Sequence, residues 1–137
     1  MKQQEVAVTV DSVVFSNTNS TLKVLLIKRK NEPFKEKWAL PGGFIEDSED
    51  LETAAKRELQ EETGVKVKGM EQVRAFGRPG RDPRGRTISI AFVSRIYAEE
   101  EVKASDDAVD AKWFDLDKLP ELAFDHSEII EAARENL

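Results

Sequence analysis

The chain begins with two apolar segments separated by a short polar stretch. Residues 6–15 (VAVTVDSVVF) are rich in β-branched side chains, and residues 22–27 (LKVLLI) form a second apolar run. Residues 16–20 (SNTNS) between them are all small and polar. Because β-branched residues favour strands and Ser and Asn favour turns, this pattern predicts two strands joined by a polar turn.

A helix is predicted in the middle of the chain. Residues 51–63 contain neither Gly nor Pro and are dense in Glu, Ala, Leu, Lys and Arg, which are good helix formers. Asp50 is placed to cap its N-terminus, and Gly64 is placed to end it. Apolar patterns predict three further strands, at residues 65–76, 87–97 and 108–114, and a last helix at residues 127–136. With no repeat or linker, residues 1–137 are expected to form one mixed α+β domain.

Composition excludes several kinds of chemistry. The 21 Lys and Arg residues are outnumbered by 27 Asp and Glu, so the net charge is −6. This balance argues against nonspecific binding to nucleic acid or to an anionic membrane. With no Cys and one His, a disulfide framework, a thiolate nucleophile and a multi-histidine metal centre are excluded. Without a signal peptide or a long apolar run, the expectation is a cytoplasmic protein whose chemistry rests on carboxylates and arginines.

The predicted helix carries acidic residues on its apolar side. At about 100° per residue, Glu58 and Glu62 fall within the stripe that holds the apolar residues, and Glu61 lies on its border. Like charges at this spacing cost roughly 0.2–0.5 kcal/mol per pair. A divalent cation such as Mg²⁺ or Mn²⁺ would remove that cost, since both prefer hard oxygen ligands. The alternative is a Glu-rich helix end that is simply solvated.

These residues belong to a longer motif. From Gly43 the sequence reads Gly, five residues, Glu49, seven residues and then Arg57-Glu58-Leu59-Gln60-Glu61-Glu62-Thr63-Gly64-Val65. It resembles the Nudix box, G-x5-E-x7-R-E-U-x-E-E-x-G-U, at every fixed position across residues 43–65. The resemblance implies a Nudix hydrolase with an α+β fold, in which a mixed β-sheet is sandwiched between α-helices.

The same resemblance implies roles for individual residues. Glu58, Glu61 and Glu62 match the Mg²⁺-binding acids of the family, and the carbonyl of Gly42 is expected to add a ligand. Glu49 and Arg57 match a structural pair that supports the catalytic acids. In a continuous helix eight residues span about 12 Å, so this pair requires Glu49 to precede the helix and fold back. The general base is either Glu58 or one of the loop acids Glu99, Glu100, Glu101, Asp106 and Asp107.

A basic loop is the predicted substrate site. Residues 77–86 (GRPGRDPRGR) contain four arginines and one acid, Asp82. The planar guanidinium suits bidentate contact with phosphate, although a solvated hairpin loop is the alternative. Phe44, beside the glycine turn, is a further candidate substrate contact. The arginines expected to bind substrate phosphate or ribose are Arg78, Arg81, Arg84 and Arg86.

Several segments outside the box are similar to the ADP-ribose pyrophosphatase branch of the family. They are RDPRGR, TISIAFV, DDA and AFDH. The resemblance implies Mg²⁺-dependent hydrolysis of a nucleoside diphosphate derivative, with ADP-ribose giving AMP and ribose 5-phosphate. A nucleoside triphosphate pyrophosphatase and a non-catalytic ADP-ribose-sensing module remain alternatives. The expected partner is a small nucleotide rather than nucleic acid or membrane, and the branch implies a homodimer.

Overall fold

A computed structural model describes residues 3–18, 20–97, 102–104 and 108–135. Within these ranges the chain forms a seven-stranded sheet and two helices. In chain order the elements are β1 (Ala7–Thr18), β2 (Thr21–Arg29), β3 (Trp38–Ala39), β4 (Gly42–Phe44), α1 (Leu51–Thr63), β5 (Glu71–Phe76), β6 (Thr87–Ile96), β7 (Ala108–Asp115) and α2 (His126–Arg134).

The sheet is mixed, and β1 lies at its centre. The strand order is β3-β2-β1-β6-β5, with β4 pairing with β1 and β7 pairing with β2. Strand β1 runs parallel to β6 along its length and antiparallel to β2 and β4. The short strand β4 pairs with the first half of β1 and places Gly42 opposite Asp11. The glycine turn is thereby fixed to the centre of the sheet.

The two helices cover opposite faces of the sheet because side chains of a strand alternate between its faces. Val10 and Val14 of β1 pack with buried residues of α1. Val13 and Phe15 of the same strand pack with Ile129, Ile130 and Ala133 of α2. The prediction of an α+β fold with a mixed sheet between helices is therefore confirmed.

Helix α1 has the predicted bounds because local signals define both ends. The Asp50 carboxylate accepts a hydrogen bond from the Leu51 amide, and Gly64 adopts φ 80°, the left-handed conformation that ends a helix. The predicted turn at residues 16–20 was too long, since β1 continues to Thr18 through its pairing with β2. Strand β5 begins at Glu71, six residues later than predicted. In the described part of the chain, neither helix has the length and apolar content needed to cross a membrane.

Candidate active site

A cavity of about 330 Å³ opens at the edge where α1, β1, β4 and the basic loop meet. The α1 carboxylates and the glycine turn form its acidic end, and aromatic and arginine side chains also line it. Asp11 and His126 also line it. The remaining lining residues include Thr9, Arg29, Glu32, Gly42, Gly43, Phe44, Glu46, Arg57, Glu58, Glu62, Arg81, Asp82, Arg84 and Phe124.

Helix α1 presents two acids to the cavity, as the helical periodicity predicted. Glu62 is 5% exposed, and its carboxylate accepts a 2.7 Å hydrogen bond from the Gly42 amide. The Glu58 side chain is 15% exposed. Glu61 lies nearer to solvent, with its side chain 45% exposed. The helix and the glycine turn are thus joined at the site by the Glu62 carboxylate.

The glycine turn is tightly packed against these acids. A Cβ atom on Gly43 would lie 2.8 Å from the Glu58 carboxylate. A Cβ atom on Gly42 would collide with the carbonyl oxygen of Val10 and the carboxylate of Asp11. Position 42 therefore requires glycine because the turn approaches β1 closely, whereas a side chain at position 43 would force the Glu58 carboxylate to shift.

Arg57 holds the acidic end together. Its guanidinium donates two hydrogen bonds to Glu49, of 2.6 Å and 2.8 Å, and Glu49 precedes the helix as the pair required. The same guanidinium contacts Glu58 at 2.8 Å and Glu61 at 3.3 Å. The hydrogen bond from Arg57 lowers the pKa of Glu49, and Glu49 in turn raises the pKa of Arg57. Both groups therefore stay charged at neutral pH.

The acidic end has the donors that a hard divalent cation prefers. Glu58, Glu61 and Glu62 contribute carboxylate oxygens, and glycine at position 43 leaves the Glu58 carboxylate room against the turn. Among the described residues no three acid or imidazole groups already converge on one point, and Arg57 contacts two of the three acids instead. The donor set fits Mg²⁺ chemically. Of the candidate general bases, Glu58 lies among the described residues. The loop candidates lie outside them, and these are Glu99, Glu100, Glu101, Asp106 and Asp107.

The structure separates the four loop arginines. Arg81 is buried, and its guanidinium donates hydrogen bonds of 2.6 Å and 2.9 Å to Asp125. Burial lowers the pKa of Arg81, but the hydrogen bond and charge of Asp125 outweigh it and raise that pKa overall. Arg78 pairs with Glu128 away from the main cavity, and Arg86 is exposed outside it. The structure therefore does not bring the four arginines together at one point, and their binding of substrate stays a prediction.

Of the four loop arginines, Arg84 is the one that both lines the cavity and is exposed to solvent. The Asp82 carboxylate accepts hydrogen bonds from its side chain at 3.1 Å and 2.8 Å. Its guanidinium carbon lies 5.0 Å from the ring centre of Phe44 and 5.6 Å from that of Phe124. Phe44 is 46% exposed and lines the cavity, as expected for a substrate contact.

A buried polar network lines the same cavity as the α1 acids. The Ser89 hydroxyl donates to the Asp11 carboxylate, and His126 Nε2 lies 3.6 Å from the other Asp11 oxygen. His126 Nδ1 accepts a 3.0 Å hydrogen bond from the Leu40 amide, two residues before Gly42. Burial lowers the pKa of His126, so the imidazole is neutral, with its proton on Nε2. The network fixes the glycine turn from the side of α2.

Sequence reasoning missed Asp11, Phe124 and Asp125 as residues of this site. Asp11 had a detectable signal, because it is the single charged residue within the apolar run of residues 6–15. A lone acid in a buried strand requires partners, and its partners here are Ser89 and His126. Phe124 and Asp125 had no comparable local signal beyond their place in the AFDH segment, since their partners Arg84 and Arg81 lie 40 and 44 residues away in the sequence.

The family of the chain follows from this fold and site together with a comparison of sequences. A family model described as the NUDIX domain matches residues 6–133. The chain therefore belongs to the Nudix family, and the prediction of a Nudix hydrolase is confirmed.

Individual relatives agree with this assignment. The chain is 49% identical over 124 residues to the ADP-ribose pyrophosphatase of Methanocaldococcus jannaschii, covering 90% of this chain and 70% of that protein. It is 36% identical over 129 residues to the ADPR responsive transcriptional repressor NtrR of Acinetobacter baylyi, covering 91% of this chain and 52% of the repressor. It thus spans about half the length of that relative.

A solved structure confirms the fold class. The crystallised NUDIX domain of Shewanella oneidensis NrtR, complexed with ADP ribose, superposes with a TM-score of 0.92. It is 36% identical in sequence, and the match covers 98% of this chain and 90% of that one. The relatives thus include a pyrophosphatase and a transcriptional repressor, so the predicted lack of a nucleic-acid partner stays a prediction.

Replacing Arg81 tests whether it supports the fold. Arg81→Ala should lower the free energy of unfolding by about 3–5 kcal/mol, because Asp125 would remain buried without its charge partner. Arg78→Ala, which breaks an exposed pair with Glu128, should change it by less than about 1 kcal/mol. Urea unfolding followed by circular dichroism measures both. Equal, small effects would show that Arg81 is not held in the core.

His126 predicts a pH dependence of stability. Burial lowers its pKa, whereas the unfolded chain keeps a value near 6.5. The charges of Asp11 and Asp125 oppose this shift, and those of Arg81 and Arg29 add to it. Below pH 6.5 the unfolded chain binds a proton that the folded protein excludes. The free energy of unfolding therefore decreases as the pH is lowered, by at most about 1.4 kcal/mol per pH unit.

Urea unfolding at about pH 7 and about pH 5.5 measures this slope, because ordinary carboxylates titrate at lower pH. His126 is the single histidine of the chain. His126→Gln should therefore flatten the dependence in this window. A variant with the same slope as the original protein would contradict the assignment of a buried neutral imidazole.

Proposed function

We propose that the protein hydrolyses the pyrophosphate bond of a nucleoside diphosphate linked to another group, with ADP-ribose as the substrate that gives AMP and ribose 5-phosphate. The observation that carries this proposal is the cavity, which is lined both by the α1 carboxylates and by aromatic and arginine side chains. The 49% identity to an ADP-ribose pyrophosphatase supports the choice of substrate. Such a cavity can hold a charged diphosphate at one end and a nucleoside at the other.

The proposed cofactor is Mg²⁺, with Mn²⁺ as a substitute. Glu58, Glu61 and Glu62 would hold it, and the carbonyl of Gly42 would add a ligand. A bound divalent cation supplies Lewis-acid stabilisation of the negative charge on the pyrophosphate oxygens. The donor chemistry of the acids and the space provided by Gly43 support this assignment.

The protein side chains divide the remaining work. Arg57 holds Glu58 and Glu61 through its guanidinium and is itself fixed by Glu49. The Gly42 amide holds the Glu62 carboxylate in the cleft. A water molecule that attacks phosphorus must lose a proton, and a carboxylate oxygen of Glu58 or of a loop acid is the proposed acceptor. Arg84, anchored by Asp82, is the proposed contact for the substrate at the other end.

Two alternative functions would use the same cavity. A nucleoside triphosphate pyrophosphatase would need the same acidic end. A non-catalytic ADP-ribose sensor is favoured by one observation, the 36% identity to an ADPR responsive repressor. The complete set of box acids, held by Arg57 and Gly42, favours hydrolysis over sensing alone.

The setting of this activity is also proposed. We infer a single domain over residues 1–137 that acts on a small nucleotide in the cytoplasm, as a homodimer, without nucleic acid or membrane as a partner. The net charge of −6 supports the last two points. Analytical ultracentrifugation tests the dimer directly.

A substrate panel tests the activity. With Mg²⁺, the protein should hydrolyse ADP-ribose faster than other nucleoside diphosphate derivatives or triphosphates, as measured by product chromatography. Glu62→Gln should lower kcat by about 100-fold or more, the loss expected when one preorganised electrostatic group leaves a catalytic site. Glu71→Gln, on exposed β5, is the matched control and should keep the original rate. No turnover of any compound would disprove the proposed hydrolase.

The glycine turn provides a second test. Gly43→Ala should lower kcat by about 10- to 100-fold, in the range seen when groups that orient metal ligands are lost, because the new methyl group would displace the Glu58 carboxylate. Gly69→Ala is the control, since a Cβ there meets no atom within 4 Å. Steady-state kinetics and thermal melting separate activity from stability. An unchanged rate in Gly43→Ala would remove Glu58 from the proposed mechanism.

A further inference from the structure

We propose that Phe124, together with Phe44 and Arg84, forms the binding surface for the planar base of the nucleotide. The proposal deepens the proposed function, on which its choice of ligand rests, and it names a residue that sequence reasoning did not single out. These three side chains line the same cavity as the α1 acids Glu58 and Glu62.

Arg84 shows that a flat group fits beside both rings. Its planar guanidinium lies 5.0 Å from the ring centre of Phe44 and 5.6 Å from that of Phe124. Both distances are within the range of an attractive cation–π contact. Because Asp82 binds the edge of the guanidinium, this planar group is held beside both rings. A nucleobase has the same requirement for flat, π-rich neighbours.

The Phe124 ring is held in place from several sides. Phe34 contacts it at 4.7 Å between ring centres and His126 at 5.3 Å, both tilted. The guanidinium of Arg29 lies 5.0 Å from its centre. These contacts fix the orientation of a ring that also lines the cavity, which lowers the entropy cost of stacking a ligand on it.

The backbone at Phe124 adopts a strained conformation that directs its side chain to the cavity. Phe124 has φ 53° and Phe34 has φ 60°, in the left-handed region that bulky side chains rarely adopt. Such conformations persist where the surrounding structure fixes them, and they are common at binding sites. Here the strain turns the Phe124 side chain to the cavity immediately before Asp125 and His126, which are both buried.

The position of the aromatic end relative to the acids favours the base over other parts of the substrate. Phe44 follows Gly43 directly in the chain, so its ring lies next to the turn that packs against the proposed metal ligand Glu58. Phosphate and ribose have no π face to stack on a ring. A base carried by the diphosphate would therefore reach the surface formed by Phe44, Arg84 and Phe124.

Equilibrium binding tests the proposal without requiring turnover. Calorimetry would measure AMP and ribose 5-phosphate binding to the original protein, to Phe124→Leu and to Phe124→Tyr. Phe124→Leu should weaken AMP binding by about 10-fold or more, because stacking of one base on an aromatic ring contributes affinity of this order. Ribose 5-phosphate binding should not change. Phe124→Tyr keeps a ring and should restore AMP binding.

Controls separate this inference from loss of folding and from failure of the proposed activity. Tyr97→Leu removes an exposed ring outside the cavity and should leave AMP binding unchanged, and thermal melting should show that each variant is folded. An unchanged AMP affinity in Phe124→Leu, or equal weakening of both ligands, would overturn the base-binding role. So would failure of the original protein to bind AMP. A selective loss of AMP binding in a protein without hydrolase activity would support the base site and disprove only the activity.

Discussion

The contacts of Arg57 are the interaction on which the acidic end of the cavity depends. One guanidinium binds Glu49, Glu58 and Glu61 and also donates to the Phe44 carbonyl. Carboxylates this close would otherwise repel one another and move towards solvent. A guanidinium suits this role better than an ammonium because its donors spread over a plane and can reach several acceptors at once. The α1 acids can therefore face the sheet without a large cost to stability.

A chain of close contacts extends this constraint across the sheet. Glu62 binds the Gly42 amide, and Gly42 packs against Asp11 on β1. Asp11 lies beside His126 at the start of α2, and His126 returns to the glycine turn through the Leu40 amide. The helices on opposite faces of the sheet are thus linked through the polar groups of the site. A substitution on the α2 side is expected to reach the α1 acids through the glycine turn.

The sequence predicted α1 and its acidic face well because their causes are local. Asp50 and Gly64 set the ends, and a regular period of about 3.6 residues per turn placed Glu58 and Glu62 towards the body of the protein. The roles of the loop arginines depended on distant partners. Arg81 pairs with Asp125, 44 residues away, and no pattern within the loop distinguishes it from its exposed neighbour Arg78. The predicted turn after β1 was too long for a different reason, because pairing with the adjacent strand β2 extends β1 to Thr18.

The charges that line the cavity provide a separate argument for a divalent cation. Six acids line it, against the four arginines Arg29, Arg57, Arg81 and Arg84, and the neutral His126 adds no charge. Asp125 and Asp82 already bind Arg81 and Arg84, and Glu49 binds Arg57. The arginines alone therefore cannot make the cavity attractive to a diphosphate, since like charges repel strongly where water is excluded. A divalent cation held by the α1 acids would offset the excess of two acids over arginines, so we expect the proposed metal to favour substrate binding as well as reaction.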